Sequence, residues 1–303
     1  MQSAIAVDGL FVQYRTKRGE MVDAVKDLTF QVQEGEIVGF LGPNGAGKSS
    51  TLKVLMGFVT PKSGRATIFG EQAGTPDSRK NIGYLPEVAM YYPFLTPLET
   101  LTMYGELQGL GGPSLNKEIL ELLEMLGIAG AAKKLNRSMS KGMLQRVGIA
   151  QALLGKPRLL ILDEVTSGLD PVGRKELRNL LIQRQKEGAT LFFSSHELAE
   201  VDMLCDRILL INKGEFVEER IVSQLKDELR NFALVFQGVT SMVGLSQDIQ
   251  ERGNETFEAK FHTKPDLIKA IERVQLGGGE ILDVVSQEGS LEEYFVEKVQ
   301  VAA

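Results

Sequence analysis

Hydrophobic positions in the first forty residues recur at period two. Ile5 and Val7, the Val12/Tyr14 pair, and Leu28, Phe30 and Val32 alternate with other residues, which predicts strands. Ile37-Val38-Gly39-Phe40-Leu41 is instead a short, unbroken apolar run, the pattern of a strand buried on both faces. The period then changes to a helical one, with Leu52, Leu55, Met56 and Val59 on one face. Further on, Thr96-Pro97-Leu98-Glu99 carries an N-cap, a proline at the first helical position and a capping-box glutamate. Ile119, Leu122, Leu123 and Leu126 form a second helical stripe, and Met143, Val147, Ala150 and Leu154 a third, after Ser140. Alternation of strand and helix then resumes: strand 158–164, helix 172–187, strand 189–195, helix 197–205 and a hairpin 207–219 about Asn212-Lys213-Gly214.

Beyond residue 221 the pattern changes again. Phe257, Ala259 and Phe261 alternate with Glu258, Lys260 and His262, which predicts a strand with one wet face. A helical stripe at Leu267, Ile271 and Val274 ends at Gly277-Gly278-Gly279, a strand spans Ile281 to Val285, and a last helix runs from Leu291 to Val299. This tail reads as a small, separate α/β domain, and a chain of 303 residues has room for about two domains.

Composition narrows the class. A formal charge of −6 offers no basic field for nucleic acid or anionic lipid. The single cysteine, Cys205, excludes an internal disulfide, fits a reducing compartment and reads as a small core residue. No charged region followed by an apolar run opens the chain, so no secretory signal is expected. No apolar stretch approaches the roughly 18 residues that cross a bilayer, so any membrane-spanning part is expected on another chain.

Three stretches carry chemistry. Gly42-Pro43-Asn44-Gly45-Ala46-Gly47-Lys48-Ser49 matches the phosphate-loop pattern in full and lies between a predicted strand and helix. Backbone N–H groups and the helix N-terminus would cradle phosphate oxygens, Lys48 would pair with the β- and γ-phosphates, and Ser49 would offer an oxygen to Mg²⁺. The apolar run Leu159 to Leu162 delivers Asp163 and Glu164 to a strand end. There one carboxylate can hold Mg²⁺ through water and the next can act as general base. Between these two lies Met139-Ser140-Lys141-Gly142-Met143, with a hydroxyl and a glycine where the third helix begins.

In this order the three resemble the ATP-binding subunit of an ATP-binding-cassette (ABC) transporter, over residues 4 to 220. The resemblance implies a P-loop NTPase core sheet with an antiparallel β subdomain and a helical insert at about 88–155, in an ATPase domain of residues 1–220. Residues 221–303 form the small C-terminal α/β domain, and Ser290 to Phe295 resembles an appendage of the exporter branch. It implies ATP and Mg²⁺ as cofactors, with ATP held by Tyr14 and by residues 42–50, Ser50 included. Tyr14 resembles the aromatic residue that stacks on adenine, with Phe11 as the alternative. Ser140, Lys141, Gly142 and Met143 align with the signature stretch that binds the γ-phosphate held by a second ATPase subunit, and Ser-Lys-Gly-Met is a form common in exporters. Ser167-Gly168-Leu169-Asp170 resembles the loop at the dimer seam. Glu164 and His196 resemble the catalytic carboxylate and the histidine that contacts the γ-phosphate. The metal set is Ser49, Asp163 and Glu87, the last standing where the family has glutamine. Tyr91, Tyr92, Phe94 and Leu95 border what in the family is a groove for a helix of the membrane subunit.

The expectation is therefore an ATPase that drives transport, most simply export, through a separate permease at the cytoplasmic face of the membrane, as a homodimer or heterodimer. The alternative is an ABC-type ATPase acting on a soluble or nucleic-acid partner. One cassette, an acidic balance and no long heptad array give that alternative nothing to rest on. A kinase or GTPase would have no use for the Ser-x-Gly helix.

Overall fold

The computed structural model describes residues 3–195, 198–238, 248–253, 255–287 and 290–301. They fall into two compact units, one of Met1–Glu219 with Val299–Ala303 and one of Arg220–Lys298.

In the first unit, β1 (Ser3–Arg15) and β2 (Met21–Gln33) form a long antiparallel ribbon, followed by β3 (Ile37–Leu41) and α1 (Lys48–Leu55). Next come β4 (Ser63–Ile68), β5 (Glu71–Gln72), α2 (Pro76–Arg79) and β6 (Ile82–Leu85). Three helices, α3 (Pro97–Leu107), α4 (Gly112–Met125) and α5 (Lys141–Leu153), make the helical insert. Then follow β7 (Leu159–Asp163), α6 (Pro171–Lys186), β8 (Thr190–Ser195), α7 (Leu198–Leu204), β9 (Arg207–Asn212) and β10 (Glu215–Ile221).

Two sheets result. One is antiparallel, in the order β2-β1-β4-β5. The other runs β10-β9-β3-β8-β7-β6, and the pairs among β9, β3, β8, β7 and β6 are parallel. Every residue of β3, β7 and β8 is buried, as the apolar runs of β3 and β7 predict, and in β8 burial extends to the polar Thr190, Ser194 and Ser195. Phe30 of the antiparallel sheet meets Phe40 and Phe192 of the parallel one at centroid distances of 5.6 Å each, joining both sheets in one core.

Register positions the chemistry. Leu41 pairs with Ser195 and Asp163 with Ser194, so the exits of β3, β8 and β7 lie side by side at one sheet edge. Parallel strands sit about 4.8 Å apart, so the residues leaving β3 and β7 stand roughly 10 Å from one another. That is a span one nucleotide phosphate chain can bridge.

α5 packs directly on β6. A Cβ at Gly83 would lie 1.8 Å from the carbonyl oxygen of Ala152, so only glycine permits this approach. The capping box expected at Thr96 is present: the Thr96 hydroxyl accepts from the Glu99 N–H, and the Thr96 N–H donates to Glu99 Oε2 at 2.8 Å. α1 is shorter than its hydrophobic spacing predicts, ending at Leu55 instead of continuing to Val59. Gly57, at φ +75°, turns the chain where its backbone meets Gly74.

The second unit contains α8 (Val222–Leu229), β11 (Asn231–Gln237), β12 (Ile249–Gly253), β13 (Thr256–Phe261), α9 (Lys264–Leu276), β14 (Glu280–Gln287) and most of α10 (Leu291–Val301). Its sheet order is β12-β13-β11-β14, and α9 packs Leu267, Ala270 and Val274 onto Phe232, Leu234, Phe236, Ala259 and Phe261. The expectation that Glu258 faces water is corrected: it is 7% exposed and ion-paired with Arg252. The neighbouring strand β12 supplies that arginine, and pairing is what permits a buried carboxylate. His262, read as an ordinary histidine, is exposed with Nδ1 2.7 Å from Asn231 Oδ1.

Candidate functional site

The loop between β3 and α1 wraps an open cradle. Gly45 and Gly47 have φ of +79° and +108°, a region that favours glycine. A Cβ at Gly42 would sit 2.3 Å from the Ile211 carbonyl oxygen, and one at Gly47 2.5 Å from that of Ala24. Gly45 by contrast faces open space, with nothing within 4 Å of its Cβ position. Lys48 is buried, and its Nζ donates to the carbonyls of Gly42 (2.6 Å) and Pro43 (3.2 Å). Burial pushes this ammonium below its ordinary value, against the opposing charges of Glu164, Asp163 and Glu87.

A cavity of about 600 Å³ opens over the loop. Asn44 through Ser50 line it, together with Tyr14, Glu87, Glu164 and Ser167. Tyr14 and not Phe11 is the aromatic residue at this cavity, and the Phe11 ring lies instead under the Lys62 ammonium at 5.2 Å. Asp163 is buried at the end of β7 and accepts a hydrogen bond from the Ser194 hydroxyl. Burial of the Tyr84 phenol itself, and after it the Asp163 charge, push that phenol up to about 12. Glu164 follows with φ +52°, a left-handed backbone rare for a non-glycine, and its N–H donates to the Ser194 carbonyl at 3.2 Å. The turn re-aims the chain, so successive carboxylates take different surroundings: Asp163 in the wall, Glu164 on the cavity.

The Ser140 stretch lies elsewhere. Ser140 caps α5, its hydroxyl accepting from the Met143 N–H at 3.2 Å. Ser140 and Lys141 are exposed, Gly142 and Met143 half-buried, and none of the four lines the cavity. Ser167 does line it, while Gly168 backs onto Gly142, whose Cβ position is 2.7 Å from the Gly168 carbonyl oxygen. Leu169 is buried and Asp170 caps α6, accepting from the Gly173 N–H at 3.0 Å. His196 lies outside the described residues.

Sequence reasoning passed over three residues that hold this arrangement. Buried Gln145 donates from Nε2 to the Val165 carbonyl at 2.9 Å. Arg146 donates from Nη1 to the Leu126 carbonyl (2.6 Å) and to Glu176 (3.1 Å), joining the helical insert to α6. Ser194 fixes Asp163. The available signal was two adjacent long polar side chains on a helix that is otherwise buried after its first turn.

Comparison with known proteins bears on the same features. A family model described as ABC transporter matches residues 25–167. A second, described as an AAA domain, putative AbiEii toxin of a type IV toxin–antitoxin system, matches residues 135–202, which include Asp163 and Glu164 but not the phosphate loop. An uncharacterized ABC transporter ATP-binding protein of Synechocystis sp. is 35% identical over 95% of this chain and 82% of its own length. The bacitracin transport ATP-binding protein BcrA of Bacillus licheniformis is 37% identical over 91% of this chain and 92% of its own. Among solved structures, an ATP-binding cassette captured as a dimer in a post-hydrolysis state with ADP and Pi matches at a TM-score of 0.67 and 25% identity. That match covers 72% of this chain and 98% of the solved one. A phosphate cradle, a paired-carboxylate strand end and a capped Ser-x-Gly helix thus coincide with full-length relatives, and the chain belongs to the ABC transporter ATP-binding proteins, as an ATP-hydrolysing subunit.

Proposed function

We propose that two ATPase subunits close head to tail on two ATP molecules and pass the closure to a separate permease at the cytoplasmic face of the membrane. One observation carries this reading: the cavity of a single chain has phosphate-loop and carboxylate walls but no contribution from residues 140–143. Ser140 and Gly142, at the exposed end of α5, suit the γ-phosphate of ATP held by the other subunit, with Lys141 and Met143 completing the stretch. The solved cassette dimer with ADP and Pi supports the same arrangement.

Within the cavity, Tyr14 stacks on adenine, the loop of residues 42–50 holds the phosphates through Lys48 and the backbone N–H groups of Asn44 to Ser50, and Glu164 accepts the proton of the attacking water. His196 is assigned to the γ-phosphate by its position after β8. Seam residues Ser167 to Asp170 bring the two subunits together. The donors suit Mg²⁺, a hard cation that takes oxygen: the Ser49 hydroxyl, Asp163 through water, and Glu87. Among the described residues no group of three or more His, Cys, Asp or Glu could hold a metal, so nucleotide phosphates complete the set. Bound there, Mg²⁺ would neutralise phosphate charge.

Residues 1–220 act as the ATPase domain, and 221–303 as an appendage to it. No described helix is long and apolar enough to cross a membrane, in keeping with a peripheral subunit. The exposed side chains of Val88, Met90, Tyr92 and Phe94, the last two stacked at 5.5 Å, offer an apolar surface for a permease helix. The Ser-Lys-Gly-Met form and a relative named for bacitracin transport favour export. A complete motif set suits a homodimer.

Sedimentation of Glu164→Gln protein with and without Mg-ATP tests the proposal. ATP should convert monomer to dimer, and the wild-type rate per subunit should rise with protein concentration. A monomer under saturating ATP, with strictly linear activity, would overturn it.

A further inference from the structure

α5 grips the segment after β7 at successive points. The Lys141 side chain lies across Gly168, whose Cβ position is 3.3 Å from both Cγ and Cδ of the lysine and 3.5 Å from Cε. Gly142 meets the carbonyl oxygen of the same residue. Along the helix, Gln145 bonds the Val165 carbonyl, and Arg146 Nη2 lies 3.9 Å from the Asp170 carboxylate. The segment in turn reaches the cavity, since the Ser167 N–H donates to the Glu164 carbonyl at 3.1 Å and both residues line it.

Lys141 is the unexpected member. A cation in the first turn of a helix opposes the helix dipole, and α5 has no acidic residue there to offset it. Its ammonium therefore gives α5 no local benefit. Its methylene stem, however, covers a glycine that has no side chain of its own and a left-handed φ of +78°.

We propose that Lys141 is a positioning residue whose stem, through its contact with Gly168, clamps the 164–170 segment to α5, so that the Ser140 end of α5 and Glu164 move as one body. When Ser140 seats on the nucleotide of another subunit, Glu164 of its own chain is displaced with it. Only this last step rests on the dimer proposed above, because the clamp lies within one chain.

Amide hydrogen exchange of residues 165–169 in the nucleotide-free chain tests the clamp, alongside steady-state ATPase. Lys141→Gly and Lys141→Ala, which remove the stem, should speed exchange there on the order of tenfold, the effect of losing burial of one or two methylenes. They should lower kcat while leaving KM for ATP near its wild-type value. Lys141→Met keeps the stem and drops the charge, and should recover both the protection and most of the lost kcat. Unchanged exchange in Lys141→Ala would overturn the clamp. So would Lys141→Met matching Lys141→Ala, because the charge and not the stem would then matter. Failure of ATP to dimerise the protein leaves these single-chain exchange results standing, so the two proposals fail separately.

Discussion

The phosphate loop and the Ser140 stretch are built from similar parts and differ in outcome. Each places glycine and serine at the start of a helix, α1 or α5, where N–H groups point outward. The first is enclosed: Gly42 and Gly47 press on the backbones of Ile211 and Ala24, and Lys48 is buried. The second is bare, with Ser140 exposed and its hydroxyl already bonded to the N–H of Met143. A helix end supplies only a weak positive field in water. Enclosure and an aimed cation turn that field into a binding site, because electrostatic attraction strengthens as water is excluded. One stretch is a site by itself, and the other becomes one only against something else.

Substitutions can break this comparison on either side. The largest effect is expected on the enclosed side: Glu164→Gln should lower kcat about 10²–10⁴-fold, the range for loss of a general base. Nucleotide affinity, measured by titration with a fluorescent ATP analogue, should survive. Activity within a few-fold of wild type would mean another group takes the proton. Next, Lys48→Ala should weaken ATP binding about 10- to 100-fold, since a charge-assisted hydrogen bond contributes about 1.5–3 kcal/mol. A smaller change is expected on the bare side. Ser140→Ala should reduce hydrolysis without reducing the affinity of the isolated chain, and cost about 1 kcal/mol of stability through the lost cap. Ser140→Thr should restore the cap. Lost ATP affinity in Ser140→Ala would place the stretch on the wrong site.

Two finer tests follow. Because burial lowers the Lys48 pKa, the empty site loses its ammonium at a lower pH than a free lysine does. Affinity should be flat near neutrality and decline as pH rises through that lowered value, and Lys48→Arg should abolish the decline. The smallest effect is expected at Glu87, whose charge reaches Lys48. Glu87→Gln should tighten metal-free ATP binding by a few-fold and Mg-ATP binding less. Equal affinities would leave the carboxylate without a special role.

Much of this was legible in the sequence because the signals are local. Unbroken apolar runs gave β3 and β7, the Thr96 box marked the start of α3, and Ser140 marked that of α5. The missed features depend on partners distant in sequence. Glu258 is buried because Arg252 comes from the strand beside it, which alternation within β13 cannot reveal. β11 eluded the period-two reading because as a central strand it is apolar on both faces: Phe232, Ala233, Leu234 and Phe236 are all buried. Gln145 and Arg146 read as ordinary helix polarity until Val165, Leu126 and Glu176 were placed around them. The sequence already favours Tyr14 over Phe11, and what it cannot show is that Tyr14 lines the cavity while the Phe11 ring lies against Lys62.

The contact between Gly83 and Ala152 has a mechanical consequence. At this one point backbone touches backbone, with no rotamer to change, whereas two residues further along β6 the Leu85 side chain packs at Gly148 of α5. Most packed joints have some play, because a leucine or methionine can swivel before the far element responds. This one has no backlash. A shift of β6 at Gly83 therefore meets the helix headed by Ser140 directly, as one gear tooth meets the next.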